Sequence, residues 1–127
     1  MEQYLIDTNV ISDYFSKLFP EVGINLIDEA IDATPNLSII TQIELLSWKT
    51  DDMAEYQVKN FILDSVIWEV TPDVVTECVR IRRSKKIKTP DAIIAATALV
   101  NNFTIITNNE KDFENIKGLK VVNPYKL

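Results

Sequence analysis

Polar and acidic side chains cluster at three points of the sequence, each directly after a short apolar segment. Asp7-Thr8-Asn9 follows the first segment, Thr41 to Glu44 the second, and Thr107 to Asp112 a later one. A fourth candidate position, Asp91, comes just before the apolar run Ala92 to Val100. If the apolar segments are strands of one parallel sheet, these groups meet in the crevice beyond the carboxyl ends of the strands. The sequence then predicts three or four carboxylates in a single site.

Carboxylates packed this closely cannot all stay ionised unless a positive charge joins them. The chain contains no histidine, which excludes most zinc sites and the Ser-His-Asp and Cys-His types of catalysis. A site built from oxygen ligands alone favours Mg²⁺ or Mn²⁺. We therefore expect a divalent metal ion among these carboxylates.

Each acidic residue also has a purely structural interpretation. Thr41 and Glu44 match the Thr-x-x-Glu capping-box pattern of a helix N-terminus. Asp91 in a first helical turn is favoured by the helix dipole, Asp7 could hydrogen-bond the start of the next helix, and Asp112 could be a solvated surface charge. The metal site therefore depends on the joint placement of these residues and on no single one of them.

The segment Arg80 to Lys88, "RIRRSKKIK", carries six basic residues in nine. One interpretation is a solvated helix end, where lysine and arginine complement the helix dipole. The run also ends three residues before Asp91, so its cations would line the approach to an acidic pocket. That arrangement suits a polyanionic substrate whose phosphates the basic stripe holds. The candidate contacts are Arg80, Arg82, Arg83, Lys85, Lys86 and Lys88.

The composition is that of an ordinary globular domain, with 127 residues, 46% hydrophobic and 25% charged. The net charge of −6 argues weakly against nucleic acid, although the charges are unevenly distributed. Cys78, the single cysteine, lies among valines and is expected to be buried. No apolar run approaches the ~20 residues of a membrane span, and the N-terminus lacks a signal-peptide pattern. We expect one domain over residues 1–127, in the reducing cytoplasm and away from membranes.

Strands and helices are predicted to alternate, which indicates an α/β fold with a mainly parallel sheet of four to five strands and helices on both faces. One helix starts at Pro72, and the last has Thr89 as its N-cap and Pro90 as its first residue. The predicted strands are Tyr4 to Asp7, Leu37 to Ile40, Val66 to Val70, Phe103 to Ile106 and Leu119 to Val122. The other predicted helices are Val10 to Lys17, Glu21 to Ile31, Gln42 to Trp48 and Asp52 to Leu63.

Read in order, "LIDTNVIS", "SIITQIELL", "TPDAIIAATAL" and "TIITNNEKDFENI" resemble the PIN-domain ribonucleases, specifically the VapC-like toxins of bacterial and archaeal toxin–antitoxin modules. The likeness spans nearly the whole chain. It implies a PIN-like three-layer α/β/α sandwich and a metal-dependent endoribonuclease acting on RNA. It also implies a homodimer that a cognate antitoxin protein inhibits. The apolar N-terminal helices and Trp48 are candidates for the dimer contacts.

The same resemblance implies roles for individual residues. In such proteins the first aspartate, the glutamate and the third acidic residue bind or orient Mg²⁺, and by motif these are Asp7, Glu44 and Asp91. Our hypothesis is that Asp7 and Asp91 ligate Mg²⁺, or Mn²⁺, while Glu44 orients or deprotonates the attacking water. Asn9 and Thr107 would fix the orientation of the carboxylates. By resemblance, cleavage leaves a 3′-hydroxyl and a 5′-phosphate.

The chain departs from the family pattern where an acid often stands two residues after the threonine that closes the fourth strand. Asn109 occupies that place and adds no charge, although Asp112 could compensate if its loop turns inward. We therefore expect one strongly held ion, with any second ion recruited by substrate.

Two other functions stay open at this stage. A non-catalytic PIN-fold module that binds RNA or protein and lacks a competent metal site is favoured by the amide of Asn109. Phosphoryl transfer through an aspartyl-phosphate on Asp7 is the other possibility. It is weakened because Asn9 replaces the second acid of an Asp-x-Asp pair.

Overall fold

Five short strands form one sheet in the computed structural model, which describes residues 2–16 and 19–127. The strands are β1 (Tyr4–Ile6), β2 (Asn36–Ser38), β3 (Val66–Trp68), β4 (Thr104–Ile106) and β5 (Lys120–Val122). Their order across the sheet is β3-β2-β1-β4-β5, and every neighbouring pair is parallel. The predicted parallel sheet is confirmed.

Helices fill the connections between the strands. They are α1 (Thr8–Phe15), α2 (Ile24–Asp32), α3 (Ile39–Leu46), α4 (Asp52–Leu63), α5 (Pro72–Ser84), α6 (Thr89–Val100) and α7 (Glu110–Phe113), with 3₁₀ turns at Glu21–Gly23 and Pro124–Lys126. Side-chain oxygens cap several of them, because the first N–H groups of a helix lack intrahelical partners. Asp51 accepts from Ala54 N–H at 2.8 Å, and Thr71 accepts from Val74 N–H at 3.3 Å. No helix in the described residues is both long enough and apolar enough to cross a membrane.

Two apolar cores lie on opposite faces of the sheet, because successive residues of a strand point to opposite sides. Leu5 and Ile105 pack with residues of α5, α6 and α7. Ile6 and Ile106 pack with residues of α1, α2, α3 and α4. Cys78 belongs to the first core, as predicted. The three-layer α/β/α arrangement is therefore confirmed.

The starts of α3 and α6, the two helices that carry candidate site residues Glu44 and Asp91, differ from prediction. Ser38 is the N-cap of α3 and accepts a hydrogen bond from Ile40 N–H at 3.1 Å, so the strand ends earlier than predicted and Thr41 lies inside the helix. Lys88 is the N-cap of α6, so Thr89 is already helical. Asp112 lies in α7, where a loop was predicted.

Several other boundaries move by one to three residues. The first helix begins at Thr8 instead of Val10, and its predicted end at Lys17 lies outside the described residues. The segment predicted as one helix from Glu21 to Ile31 divides into the 3₁₀ turn and α2. Asp52–Leu63 and the start at Pro72 agree with prediction.

The point where the chain changes direction across the sheet lies between β1 and β4. From β1 the chain continues to β2 and β3 on one side, while β4 and β5 lie on the other. Ile6 and Ile106 are in register, so both strands end at the same level. Such a switch point leaves a crevice beyond the carboxyl ends of the strands, where ligands of open α/β sheets bind. Asp7 and Thr107 are the first residues to enter it.

Candidate active site

Asp7 lies at the base of the crevice and is only 6% exposed. Its backbone N–H donates to Ile106 O at 3.0 Å, which continues the pairing of β1 with β4. Its Oδ1 accepts from Thr8 N–H at 2.9 Å, and its Oδ2 accepts from the Thr107 hydroxyl at 2.8 Å. Asp7 is thus also the N-cap of α1. The structural and the functional interpretations of this residue are compatible.

The electrostatic environment of Asp7 opposes its negative charge. Burial is the largest effect and raises the pKa of its carboxyl, while the hydrogen bonds from Thr107 and Thr8 lower it. The negative charges of Glu44 and Asp112 raise it further, and the net shift is upward. A proton or a cation near this carboxylate is therefore favoured.

Glu44 reaches the crevice from α3 and is joined to the first strand end by Thr8. The Thr8 hydroxyl donates to Glu44 Oε1 at 2.7 Å, and its oxygen lies 3.1 Å from Oγ1 of the buried Thr41. The capping-box interpretation of Thr41 and Glu44 is wrong, because Ser38 caps this helix. Thr8 was not among the predicted site residues. Its place in the triplet "DTN", between two polar candidates, was the signal that could have identified it.

Asp91 lies half-buried in the first turn of α6 and faces the other carboxylates. Burial and the charges of Asp112 and Asp7 raise its pKa to about 6, with a hydrogen bond to Asp112 and the charge of Glu44 adding to the shift. Asp112 therefore faces inward from α7. Asp7, Glu44, Asp91 and Asp112 form one electrostatically coupled group, which we term the acidic cluster.

Asn109 holds Asp112 in place. Its Nδ2 donates to Asp112 Oδ2 at 2.5 Å, and its backbone N–H donates to the Thr107 hydroxyl oxygen at 2.9 Å. Asn109 thus orients the acid of α7. Asn9 is exposed at the edge of the crevice, and its expected role in orienting a carboxylate stays a prediction.

The spacing of the carboxylates sets a limit on how they could share an ion. Within residues 2–16 and 19–127, no three acidic or cysteine side chains stand at the mutual spacing of a metal site. The oxygens of Glu44 and Asp91 would have to move closer to those of Asp7 for the three carboxylates to share one ion. The donor chemistry nevertheless fits Mg²⁺ or Mn²⁺, because every candidate ligand atom is oxygen.

Lys85, from the basic run, hydrogen-bonds the end of α7, the helix that carries Asp112. Its ammonium donates to three backbone carbonyls at the end of α7, those of Lys111 at 3.3 Å, Asp112 at 3.1 Å and Glu114 at 2.7 Å. Carbonyls at a helix C-terminus lack intrahelical partners, so a lysine there stabilises the helix end. Lys85 fixes the short helix that carries Asp112.

The other basic residues divide into two groups. Arg80 forms an ion pair with Glu77 at 2.7 Å on the exposed surface of α5, and Arg82 Nε donates to Ile87 O at 3.3 Å. The rest are exposed side chains at the end of α5 and the start of α6, namely Arg83, Lys86 and Lys88. RNA contact by the six basic residues of the run stays a prediction.

Comparison with known proteins agrees with this geometry. The family model for the PIN domain matches residues 4–119. Ribonuclease VapC1 of Methanocaldococcus jannaschii is 32% identical in an alignment of 125 residues that spans 92% of this chain and 85% of that protein. A chain of a toxin–antitoxin complex from Klebsiella pneumoniae superposes with a TM-score of 0.76 at 32% identity, covering 98% of this chain and 100% of that one. FitAcB from Neisseria gonorrhoeae gives a TM-score of 0.79 at 26% identity, covering 98% of this chain and 100% of its own.

A nearly full-length match to the domain model, on a sheet with an acidic crevice at its switch point, defines the class: the chain belongs to the PIN domain family. Within that class it is a nuclease of the VapC ribonuclease type, the toxin class of toxin–antitoxin modules. The predicted family, fold and enzyme class are confirmed.

Proposed function

We propose that this chain hydrolyses RNA phosphodiester bonds at the acidic cluster with Mg²⁺ or Mn²⁺ as its cofactor. The main support is the meeting of Asp7, Glu44 and Asp91, which are far apart in the sequence, at the carboxyl edge of one sheet. The pKa values of Asp7 and Asp91 are raised by burial and by repulsion from the neighbouring carboxylates. A divalent cation would offset this repulsion.

The cofactor would be held chiefly by Asp7 and Asp91. Asp7 has its orientation fixed by two hydrogen bonds, so its oxygens are presented to the crevice without further ordering. Asp91 carries a proton over part of the neutral range, because its pKa is about 6, and would release it on binding a cation. A divalent ion, when bound, supplies positive charge to offset charge that builds on the scissile phosphate and lowers the pKa of water.

Glu44 would orient the attacking water and accept its proton. It is exposed at the edge of the crevice, so water and substrate can reach it, and the Thr8 hydroxyl fixes one of its oxygens. Its second oxygen would contact the water. Asp112, held by Asn109 and Lys85, adds negative charge for a second ion brought by substrate. Attack on the phosphorus would leave a 3′-hydroxyl and a 5′-phosphate.

Replacing single carboxylates by amides tests this assignment. We expect Asp7→Asn and Asp91→Asn each to abolish Mg²⁺-dependent cleavage of RNA, because each removes one anionic ligand while keeping the shape of the side chain. Asp73→Asn is the matched control, since Asp73 is an exposed acid in the first turn of α5, as Asp91 is in the first turn of α6. Undiminished cleavage by either site variant would refute the assignment.

RNA and a cognate antitoxin are the proposed partners, and a homodimer is the proposed assembly. Support for the antitoxin comes from a chain of 32% identity found in a structure described as a toxin–antitoxin complex. An acidic crevice can be blocked by a peptide that presents arginine to the carboxylates and displaces the cation. Co-expression with the cognate antitoxin should give a stable complex with reduced ribonuclease activity. Recovery of free, fully active protein only would argue against it.

A second candidate is a non-catalytic module that keeps the fold and binds RNA or protein. It is favoured by the carboxylate spacing, which does not suit three-ligand coordination unless the oxygens move closer, and by the amide at Asn109. Calorimetric titration with Mn²⁺ separates the two candidates. A non-catalytic module should show no cation binding that depends on Asp7.

A further inference from the structure

A cavity of 310 Å³ opens beside Glu44 and continues the crevice away from Asp7. This volume is at the lower end of the ~300–1,000 Å³ typical of small-ligand sites. Two of its lining residues, Thr8 and Glu44, already belong to the proposed catalytic site, so a group bound here would adjoin the scissile phosphate. The lining residues are Thr8, Asn9, Ser12, Glu44, Leu45 and Trp48.

Trp48 forms the aromatic wall of this cavity and also packs against the protein core. It packs against the apolar core beneath α3 and α4, and its backbone N–H donates to Leu45 O at 3.3 Å. Together with Val58 and Lys59 it also lines a second, much tighter space of 20 Å³. A half-buried ring that packs against the core and also lines an open cavity is a suitable surface for stacking, because little side-chain entropy is lost on binding.

The charge of the cavity selects the kind of group it can hold. Among its six lining residues Glu44 alone is charged, and its charge is negative. A phosphate would be repelled there, whereas a neutral ring would not. Asn9, exposed on the same wall, offers an amide donor and an amide acceptor, and Ser12 uses its hydroxyl proton on Asn9 O at 3.0 Å. These are the groups that hydrogen-bond the edge of a base.

We propose that this cavity is a nucleobase subsite, in which the base of a nucleotide next to the scissile phosphate stacks on Trp48 and meets Asn9 with its edge. The subsite rests on the proposed function, since it places RNA across the acidic cluster. A base can enter only when it is unpaired, so the substrate would be a single-stranded or looped segment. Stacking tolerates every base, and Asn9 would add a preference among them.

Binding can be measured without cleavage in the Asp7→Asn variant. A labelled single-stranded oligoribonucleotide is titrated in the presence of Mg²⁺, and fluorescence anisotropy gives its affinity. Loss of base stacking on alanine substitution typically weakens binding by about 10-fold to 100-fold, so we expect Trp48→Ala to lose that much and Trp48→Phe to recover most of it. Tyr56→Ala is the matched control, because Tyr56 is 66% exposed on α4 and does not line this cavity.

An oligonucleotide series with one abasic residue, moved stepwise along the strand, identifies the base concerned. At the correct position the abasic substrate should bind weakly to the parent variant, and Trp48→Ala should cause no further loss. Equal affinity of the Trp48→Ala and parent variants for the intact strand would overturn the subsite. Thermal unfolding of each variant shows whether it is folded, and Trp48→Phe keeps the test valid if Trp48→Ala unfolds.

Three results separate the failure of the subsite from that of the proposed function. If Asp7→Asn abolishes cleavage while Trp48→Ala binds RNA normally, the subsite alone is wrong. If Trp48→Ala turns a dimer into a monomer and the abasic series shows no dependence on Trp48, the residue is a dimer contact and the subsite is again wrong. Cleavage that survives in Asp7→Asn refutes the proposed function by itself.

Discussion

The Thr107 hydroxyl donates a hydrogen bond to Oδ2 of Asp7 at 2.8 Å and so joins the ends of β4 and β1, although the two residues are 100 positions apart in the sequence. The same hydroxyl oxygen accepts from Asn109 N–H at 2.9 Å. One buried side chain therefore orients the central carboxylate and also fixes the loop that leads to Asp112.

Thr107→Val should weaken both the site and the fold. Loss of a hydrogen bond that orients a metal ligand typically lowers metal affinity by about 10-fold to 100-fold. The substitution also leaves the buried Asp7 with one hydrogen bond fewer. The free energy of unfolding should therefore fall by about 1–3 kcal/mol. Calorimetric Mn²⁺ titration and urea unfolding measure the two effects.

Thr97→Val is the control for Thr107→Val. Thr97 is equally buried, but its hydroxyl donates to Ile93 O within α6, away from the acidic cluster. We expect it to leave Mn²⁺ affinity unchanged. Equal affinities for the wild type and Thr107→Val would show that the hydroxyl does not position Asp7.

The acidic cluster should make the metal-free protein less stable as the pH rises. The folded-state pKa of Asp91 is about 6, above its ordinary value of 3.8, so the folded state favours the protonated form. Its contribution to stability is complete below about pH 4 and is lost as the pH rises through about 6. Asp7, whose pKa is also raised, acts in the same direction. Glu77 and Glu110 have lowered pKa values and act in the opposite direction, so a comparison with a variant is required.

Asp91→Asn isolates this effect. Urea unfolding in a chelating buffer should show that the variant gains stability relative to the wild type between pH 4.5 and pH 7. Mg²⁺ added at pH 7 should restore stability in the wild type only. A difference between the two proteins that stays constant with pH would contradict the assigned coupling.

Asn109→Asp should lower the stability of the metal-free protein and raise its affinity for a metal ion. The Asn109 amide donates to Asp112 Oδ2 at 2.5 Å, and a carboxylate in its place would repel Asp112 instead. We expect a lower melting temperature in chelator and a larger rise on adding Mn²⁺ than the wild type shows. Asn108→Asp adds the same charge at the exposed neighbouring position and should change both quantities less. A smaller Mn²⁺-induced rise in Asn109→Asp would count against an inward-facing Asp112.

Lys85→Met should loosen α7. The substitution keeps most of the aliphatic stem and removes all three bonds to the carbonyls of residues 111, 112 and 114. A net loss of about 1–3 kcal/mol in the free energy of unfolding is expected, together with faster amide hydrogen exchange over residues 110–114. Lys86→Met removes the same charge from an exposed neighbour and should leave both quantities unchanged. Identical behaviour of the two variants would mean that Lys85 contributes only charge.

The meeting of Asp7 and Thr107 at one edge of the sheet was predictable, because both directly follow strands and the ends of parallel strands meet by geometry. Asp7 could be identified from the apolar segment before it and Asp91 from the apolar helix after it. Glu44 was predicted as a site residue, but the start of its helix was predicted three residues too late. Ile39 and Ile40 are β-branched and prolong the apolar segment, so they were assigned to the strand, whereas Ser38 had already capped the helix.

The supporting contacts were not predictable from local patterns. Lys85 lies in a run of basic residues that indicates a solvated or phosphate-binding surface, yet its ammonium meets the end of α7, which is 26 to 29 residues away in sequence. The hydrogen bonds of Thr8 to Glu44 and of Asn109 to Asp112 likewise depend on how the elements pack. Spacing along the chain contains no information about such distances.

Calorimetric titration of the purified protein with Mn²⁺ tests most directly whether the acidic cluster is a metal site. The wild type and Asp73→Asn should bind the ion with the same affinity, and Asp7→Asn should give no binding heat. Binding to Asp7→Asn with unchanged affinity, or no binding to the wild type, would contradict the proposed metal site.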